Sequence, residues 1–167
     1  MRAYLTGFMG AGKSTVGQLL AAELGCVFVD LDAAVEEAAG RSVEKVFAAF
    51  GEEHFRTLEA EQLRETAQFE RCIVATGGGT PVEIANRQWM RAHGVIVWLA
   101  VPFEVLEGRV TEGASRPLWR DPSHARDLFD RRQDSYRDCD LAIEAENKAA
   151  SDVALAAKAA LEAAGLR

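Results

Sequence analysis

The run Gly7-Phe8-Met9-Gly10-Ala11-Gly12-Lys13-Ser14-Thr15 fits the pattern G-x-x-x-x-G-K-[ST] without a gap or a substitution, and few short patterns restrict a fold as tightly. Its surroundings fit as well: Tyr4-Leu5-Thr6 reads as a strand and Val16 to Leu24 as a helix. Glycines allow a backbone so tightly folded that successive N–H groups point inward at an anion. The helix that follows brings its positive dipole end to the same point. Lys13 then reaches the outer phosphates, the Ser14 hydroxyl ligates Mg²⁺, and Gly10, Ala11, Gly12 and Thr15 complete the cradle. Residues 7–15 are thus read as the phosphate cradle of a protein that uses a nucleoside triphosphate.

A chain of 167 residues suits one domain, 1–167, able to bury a core without disulfides or a structural metal. Its 19 basic and 26 acidic residues leave a net charge of -7 with no basic run, which argues against nucleic acid or an anionic membrane as partner. The longest apolar run, Val95 to Val101, is far below the roughly 20 residues that cross a bilayer, and the first residues lack a signal-peptide pattern. A cytoplasmic monomer is expected. Cys26, Cys72 and Cys139 have no C-x-x-C spacing and are expected to be buried free thiols. His54, His93 and His124 are isolated and remain unassigned.

Strand-like and helical runs alternate from end to end, which predicts an α/β fold with a mainly parallel sheet covered on both faces. Cys26 to Val29 forms the second strand and ends at Asp30-Leu31-Asp32, where ligands gather in such sheets. Two acids there can serve the metal and the attacking group; the plainer alternative is that Asp32 caps a helix from Ala33 to Ala39. Gly40 stops that helix, Ser42 caps the next from Val43 to Phe50, and Gly51 separates it from a charged helix, Glu52 to Phe69. Arg56 and Glu59 share a face and can pair.

Cys72 to Thr76 is a strand that runs into Gly77-Gly78-Gly79, a costly triplet unless something must approach the chain closely. No aspartate follows in the usual Walker-B place, so a metal is left to Ser14, Asp30 and phosphate oxygens. A helix from Glu83 to Ala92 precedes the most apolar strand, Val95 to Ala100, with Trp98 expected in the core. After a helix from Phe103 to Thr111, residues 112–124 lose all periodicity and carry Arg116 and Arg120. A loop of that length tends to be a lid, and Arg116 is its candidate for stabilising a leaving phosphoryl group. Ala125 to Asp138 is helical, Leu141 to Ile143 a strand, and Ser151 is expected to cap a final helix from Asp152 to Ala164.

Taken together, the phosphate loop through Val16-Gly17, Asp30-Leu31-Asp32, Gly51-Glu52-Glu53-His54-Phe55-Arg56-Thr57-Leu58-Glu59, Gly77-Gly78-Gly79 and Arg116-Pro117-Leu118 resemble the shikimate kinases. The loop alone would indicate only a P-loop protein; gluconate-type and nucleoside monophosphate kinases share it without the other segments, and a silent nucleotide-binding module would lack reactive positions that are all present here. The resemblance implies a P-loop NTPase-type three-layer fold, a five-stranded parallel sheet in the order 2-3-1-4-5 flanked by helices, a substrate-binding region at about 31–60 and a mobile lid at about 112–124.

The same resemblance implies ATP-dependent phosphorylation of the 3-hydroxyl of shikimate, on the way to chorismate and the aromatic amino acids, with Mg²⁺ as cofactor. Lys13 and Ser14 then serve phosphates and metal, with Asp30 assisting. Asp32 binds the substrate hydroxyls and is the candidate base. Arg56 and Arg132 hold its carboxylate, Gly78 and Gly79 line its pocket, Arg109 lies beside the adenine, and Arg116 closes over ATP. Members often carry a proline two residues after the second arginine; Asp134 stands there instead, so the choice of Arg132 over Arg131 rests on Tyr136. A planar, permanently charged, bidentate group is the physical match for a small carboxylate.

Overall fold

Tyr4 and Leu5 are neighbours in one strand, yet each lies fully buried in a different hydrophobic layer. Side chains alternate across a strand, and the same parity recurs at Ile73 with Val74 and at Ile96 with Val97. Both faces of the sheet are therefore covered. The computed structural model describes residues 1–111 and 122–165. Its strands are β1 (Arg2–Thr6), β2 (Val27–Asp30), β3 (Cys72–Ala75), β4 (Val95–Ala100) and β5 (Leu141–Glu144). They form one five-stranded sheet, β2-β3-β1-β4-β5, in which every pairing is parallel. The order inferred from the resemblance is the order found.

The helices are α1 (Lys13–Leu24), α2 (Leu31–Ala39), α3 (Val43–Glu65), α4 (Ile84–His93), α5 (Phe103–Thr111), α6 (Pro122–Arg137) and α7 (Ala150–Ala163). On one face, Val16 and Leu20 of α1 and Ala154, Ala157 and Leu161 of α7 meet Leu5, Ile73, Val97 and Leu99. On the other, Leu63 and Met90 of α3 and α4 meet Tyr4, Val74 and Ile96. A third cluster, Val35, Val46 and Phe55, holds α2 against α3. Connections leave β1 toward β2 and return through β3 to β4 on its other side, so the switch in strand order lies at β1, where a crevice opens beyond the strand ends.

Several local expectations are corrected. The helix after β2 begins at Leu31, and its N-cap is Asp30, whose side chain accepts from the N–H groups of Asp32 and Ala33. Asp32 lies inside the first turn. Ser42 does cap α3, but the two expected helices run together through a break at Gly51, which takes φ 81°, ψ 177°. A positive φ of this kind is open to glycine at little cost. The final helix starts at Ala150 with Ala149 as an N-cap that makes no side-chain bond, so Ser151 is not its cap; alanine propagates a helix readily without one. Residues 122–124 belong to the first turn of α6 rather than to a loop. Of the cysteines, Cys72 is buried, whereas Cys26 and Cys139 are partly exposed, and all three are free. Trp98 is only partly buried, against Tyr136.

No described helix is long and apolar enough to cross a membrane.

Candidate active site

The phosphate loop owes its shape to three glycines with positive φ, Gly7 at 139°, Gly10 at 84° and Gly12 at 88°. A Cβ on Gly7 would stand 2.8 Å from the Leu99 carbonyl oxygen, so the position admits no larger residue without displacing β4. Gly12 is the N-cap of α1 and makes no side-chain cap, which leaves first-turn N–H groups turned to the loop. The Lys13 ammonium donates to the carbonyls of Gly7 at 2.8 Å and Phe8 at 3.0 Å. It thus spans the loop it belongs to.

At the end of β2, the Ser14 hydroxyl donates to Asp30 Oδ2 at 2.5 Å. Asp30 Oδ1 accepts from Asp32 N–H at 3.1 Å and Ala33 N–H at 3.3 Å. A hydroxyl and a carboxylate are the hard oxygen donors that suit Mg²⁺. Among the described residues no group of three or more His, Cys, Asp or Glu could hold a metal, so an ion here would draw further oxygens from phosphate and water. Lys13, Ser14, Asp30 and Asp32 line one cavity of about 220 Å³.

A second cavity, of about 230 Å³, is lined by Asp32, Phe55, Arg56, Gly79 and Arg132. Met9, Asp32 and Gly78 line both, so the two cavities meet at Asp32. Arg56 donates to Glu59 Oε2 at 2.8 Å and to Glu52 Oε1 at 3.3 Å. Burial alone would lower its guanidinium, but Glu59 and Glu52 outweigh that and raise it, so the charge is permanent. Glu59 is only 1% exposed, and its other oxygen accepts from Thr80 Oγ1 at 2.6 Å. A buried carboxylate satisfied at both oxygens fixes the arginine that reaches past it.

The glycine triplet is explained by these neighbours. None of the three has a positive φ, so left-handed backbone is not the reason. A Cβ on Gly77 would meet Glu59 Oε1 at 2.5 Å and Asp32 Oδ1 at 3.0 Å, and one on Gly79 would run into the Arg56 guanidinium. Close approach of charged side chains requires bare Cα atoms.

Arg132 also lines the second cavity, with its Cζ 6.0 Å from the centre of the Phe8 ring. Arg131 is exposed and donates to the Asp127 carbonyl of its own helix, at 3.2 Å. The structure thus brings Arg132, and not Arg131, to the cavity. Tyr136 donates to the Gly78 carbonyl at 2.7 Å, and burial pushes its phenol up to about 12 against the pull of Arg132. Arg109 donates to the carbonyls of Gly10 at 3.2 Å and Ala145 at 3.1 Å, at the outer rim of the phosphate loop. Arg116 and residues 112–121, where a lid is expected, lie outside the described residues.

Sequence reasoning missed Met9 at the junction and Thr80 behind Glu59. Only the position of Thr80, directly after the glycine triplet, hinted at the latter.

The family model described as shikimate kinase matches residues 9–162. The chain belongs to the shikimate kinase family. A shikimate kinase of Geobacter metallireducens is 42% identical over 152 residues, covering 89% of this chain and 85% of the relative. The crystal structure of shikimate kinase from Aquifex aeolicus superposes with a TM-score of 0.90 at 35% identity, covering 99% of both chains. That of the Acinetobacter baumannii shikimate kinase in complex with shikimate gives 0.91 at 34% identity, covering 99% of this chain and 95% of that one. A gluconokinase from Sinorhizobium meliloti, with a TM-score of 0.63 and 18% identity, shares the fold alone.

Proposed function

We propose that this chain transfers the γ-phosphoryl group of ATP to the 3-hydroxyl of shikimate, giving shikimate 3-phosphate and ADP. The observation that carries the reading is the meeting of two cavities at Asp32, one built for phosphate and the other for a small anion. Membership of the shikimate kinase family and likeness to a shikimate-bound relative supply the substrate.

ATP lies with its phosphates on the first-turn amides of α1 and on Lys13, which moves from the Gly7 and Phe8 carbonyls to the outer phosphates. Ser14 and Asp30 would hold Mg²⁺, whose charge would offset that of the phosphate oxygens. Arg56 and Arg132 clamp the substrate carboxylate, with Gly78 and Gly79 beneath the ring. This orients the acceptor hydroxyl at the cavity junction, where Asp32 accepts its hydrogen bond. In a loose transition state the positioning matters as much as removal of the proton. Arg109 takes a place beside the adenine, and Arg116, within residues 112–121 that lie outside the described ones, is the group that would cover the phosphates and keep out water. The enzyme acts as a cytoplasmic monomer comprising one kinase domain.

A phosphotransfer assay over shikimate, gluconate and nucleoside monophosphates tests the reading. ADP release with shikimate alone supports it; turnover of another acceptor with none of shikimate overturns it, and ATP binding without any transfer points to a silent module.

A further inference from the structure

Tyr136 lies fully buried on α6, one helical turn beyond Arg132, and its hydroxyl reaches the Gly78 carbonyl at 2.7 Å across 58 positions of sequence. Residues four apart share a helix face, so Arg132 and Tyr136 approach the glycine triplet together. A Cβ on Gly78 would stand 3.3 Å from Arg132 Nη1; the guanidinium packs against the bare Cα of the residue whose carbonyl Tyr136 holds. The Tyr136 ring is backed by Trp98, nearly parallel at 6.5 Å between centroids. The phenol, at about 12, stays protonated and able to donate throughout the physiological range.

Three consecutive glycines form the softest stretch of backbone a chain can place in a binding wall, because no side chain limits their φ and ψ. Here that stretch must present its amides at fixed angles. A peptide unit is planar, so holding a carbonyl at one end sets the direction of the N–H at the other. The bond to Gly78 oxygen therefore orients the Gly79 N–H away from α6.

We propose that Tyr136 is a positioning residue for the acceptor cavity: its hydroxyl pins the Gly78–Gly79 peptide and seats Arg132 beside it, giving one wall of the cavity a single shape. Tyr136 touches no reacting atom and works through Gly78 and Arg132. Gly78 lines both cavities, whereas Gly79 and Arg132 line the acceptor cavity, so the effect falls chiefly on the carboxylate-bearing acceptor. This inference rests on the shikimate kinase reading for the identity of that acceptor.

Tyr136→Phe keeps the ring and its packing and removes the hydroxyl. Steady-state kinetics on the purified variant should show the shikimate KM raised about five- to tenfold, the scale of one lost hydrogen bond, with the ATP KM and kcat changed less than about twofold. Replacement of Tyr136 by 4-aminophenylalanine, which restores a donor, should recover most of the shikimate KM. A merely structural tyrosine would give a lower melting temperature with the shikimate KM unchanged, or with both KM values raised alike and no recovery on restoring the donor. Either result overturns the inference. Failure of the underlying reading shows separately, as absence of shikimate-dependent ADP release from the unsubstituted protein, and would remove this inference with it.

Discussion

The Ser14 hydroxyl donates to one oxygen of Asp30 at 2.5 Å, while the other oxygen of the same carboxylate caps α2. Phosphate loop and acceptor region are joined through this one side chain, and its two duties separate by mutation. Asp30→Asn retains an acceptor for the cap and loses the charge. It should change stability in urea by less than about 0.5 kcal/mol, yet raise the Mg²⁺ needed for half-maximal activity about tenfold or more. Asp30→Ala should lose about 1 kcal/mol as well. An unchanged Mg²⁺ requirement in both variants would remove Asp30 from the metal site.

Asp32 stands where the two cavities meet and does not cap α2. Asp32→Ala should therefore lower kcat at least about 100-fold, within the range of positioned acid–base groups, while ATP affinity by calorimetry stays near that of the unsubstituted enzyme. Unaltered turnover would mean that the hydroxyl is oriented by other groups.

Adjacent arginines on α6 differ in what they face: Arg132 lines the acceptor cavity and Arg131 lies exposed. Arg132→Ala should raise the shikimate KM by about one to two orders of magnitude, since a charged hydrogen bond of about 1.5–3 kcal/mol is lost from ground and transition states alike. Arg131→Ala should leave it within about twofold. Reversed effects would shift the register of the site by one residue.

Behind the site, α6 is tied to α4 by Asp138, whose oxygens accept from Arg87 and Arg91 at 2.8 Å each. The bond from Arg87, then that from Arg91, hold the Asp138 carboxyl below the usual carboxylate range. A carboxyl that is more acidic when folded stabilises the fold above its unfolded pKa, and that contribution disappears as pH falls through the folded value. Asp138→Asn should thus lower stability at pH 7 by no more than about 1 kcal/mol, because the carboxylate is half exposed and screened. The gap between the two proteins should close as pH falls through and below the ordinary aspartate value of about 3.9. A gap independent of pH would assign the effect to packing rather than charge.

Features legible in the sequence were those encoded within a few neighbouring residues. The phosphate loop follows from its own glycines, the Arg56–Glu59 pair from helical spacing, and the need for a bare triplet at Gly77 to Gly79 from the backbone entropy it costs. Strand order was read from family resemblance rather than periodicity. The plainer alternative for Asp32, capping α2, is excluded because Asp30 takes the cap; both acids lie within two residues of the helix start, and only the strand's exact end decides between them. Ser151 misled for a similar reason: a chain this rich in alanine starts a helix wherever packing permits. Contacts such as Tyr136 with Gly78, or the sharing of Met9 by two cavities, join residues far apart in sequence and leave no local pattern.

The central claim is that a triphosphate cradle and a two-arginine cavity meet at one carboxylate and together place shikimate for transfer. A crystal structure of the protein with ADP, Mg²⁺ and shikimate tests it most directly. The account predicts the substrate carboxylate between Arg56 and Arg132, with its 3-hydroxyl within hydrogen-bond distance of Asp32 and facing Lys13. Shikimate bound elsewhere, or turned with its carboxylate toward Lys13, would contradict it.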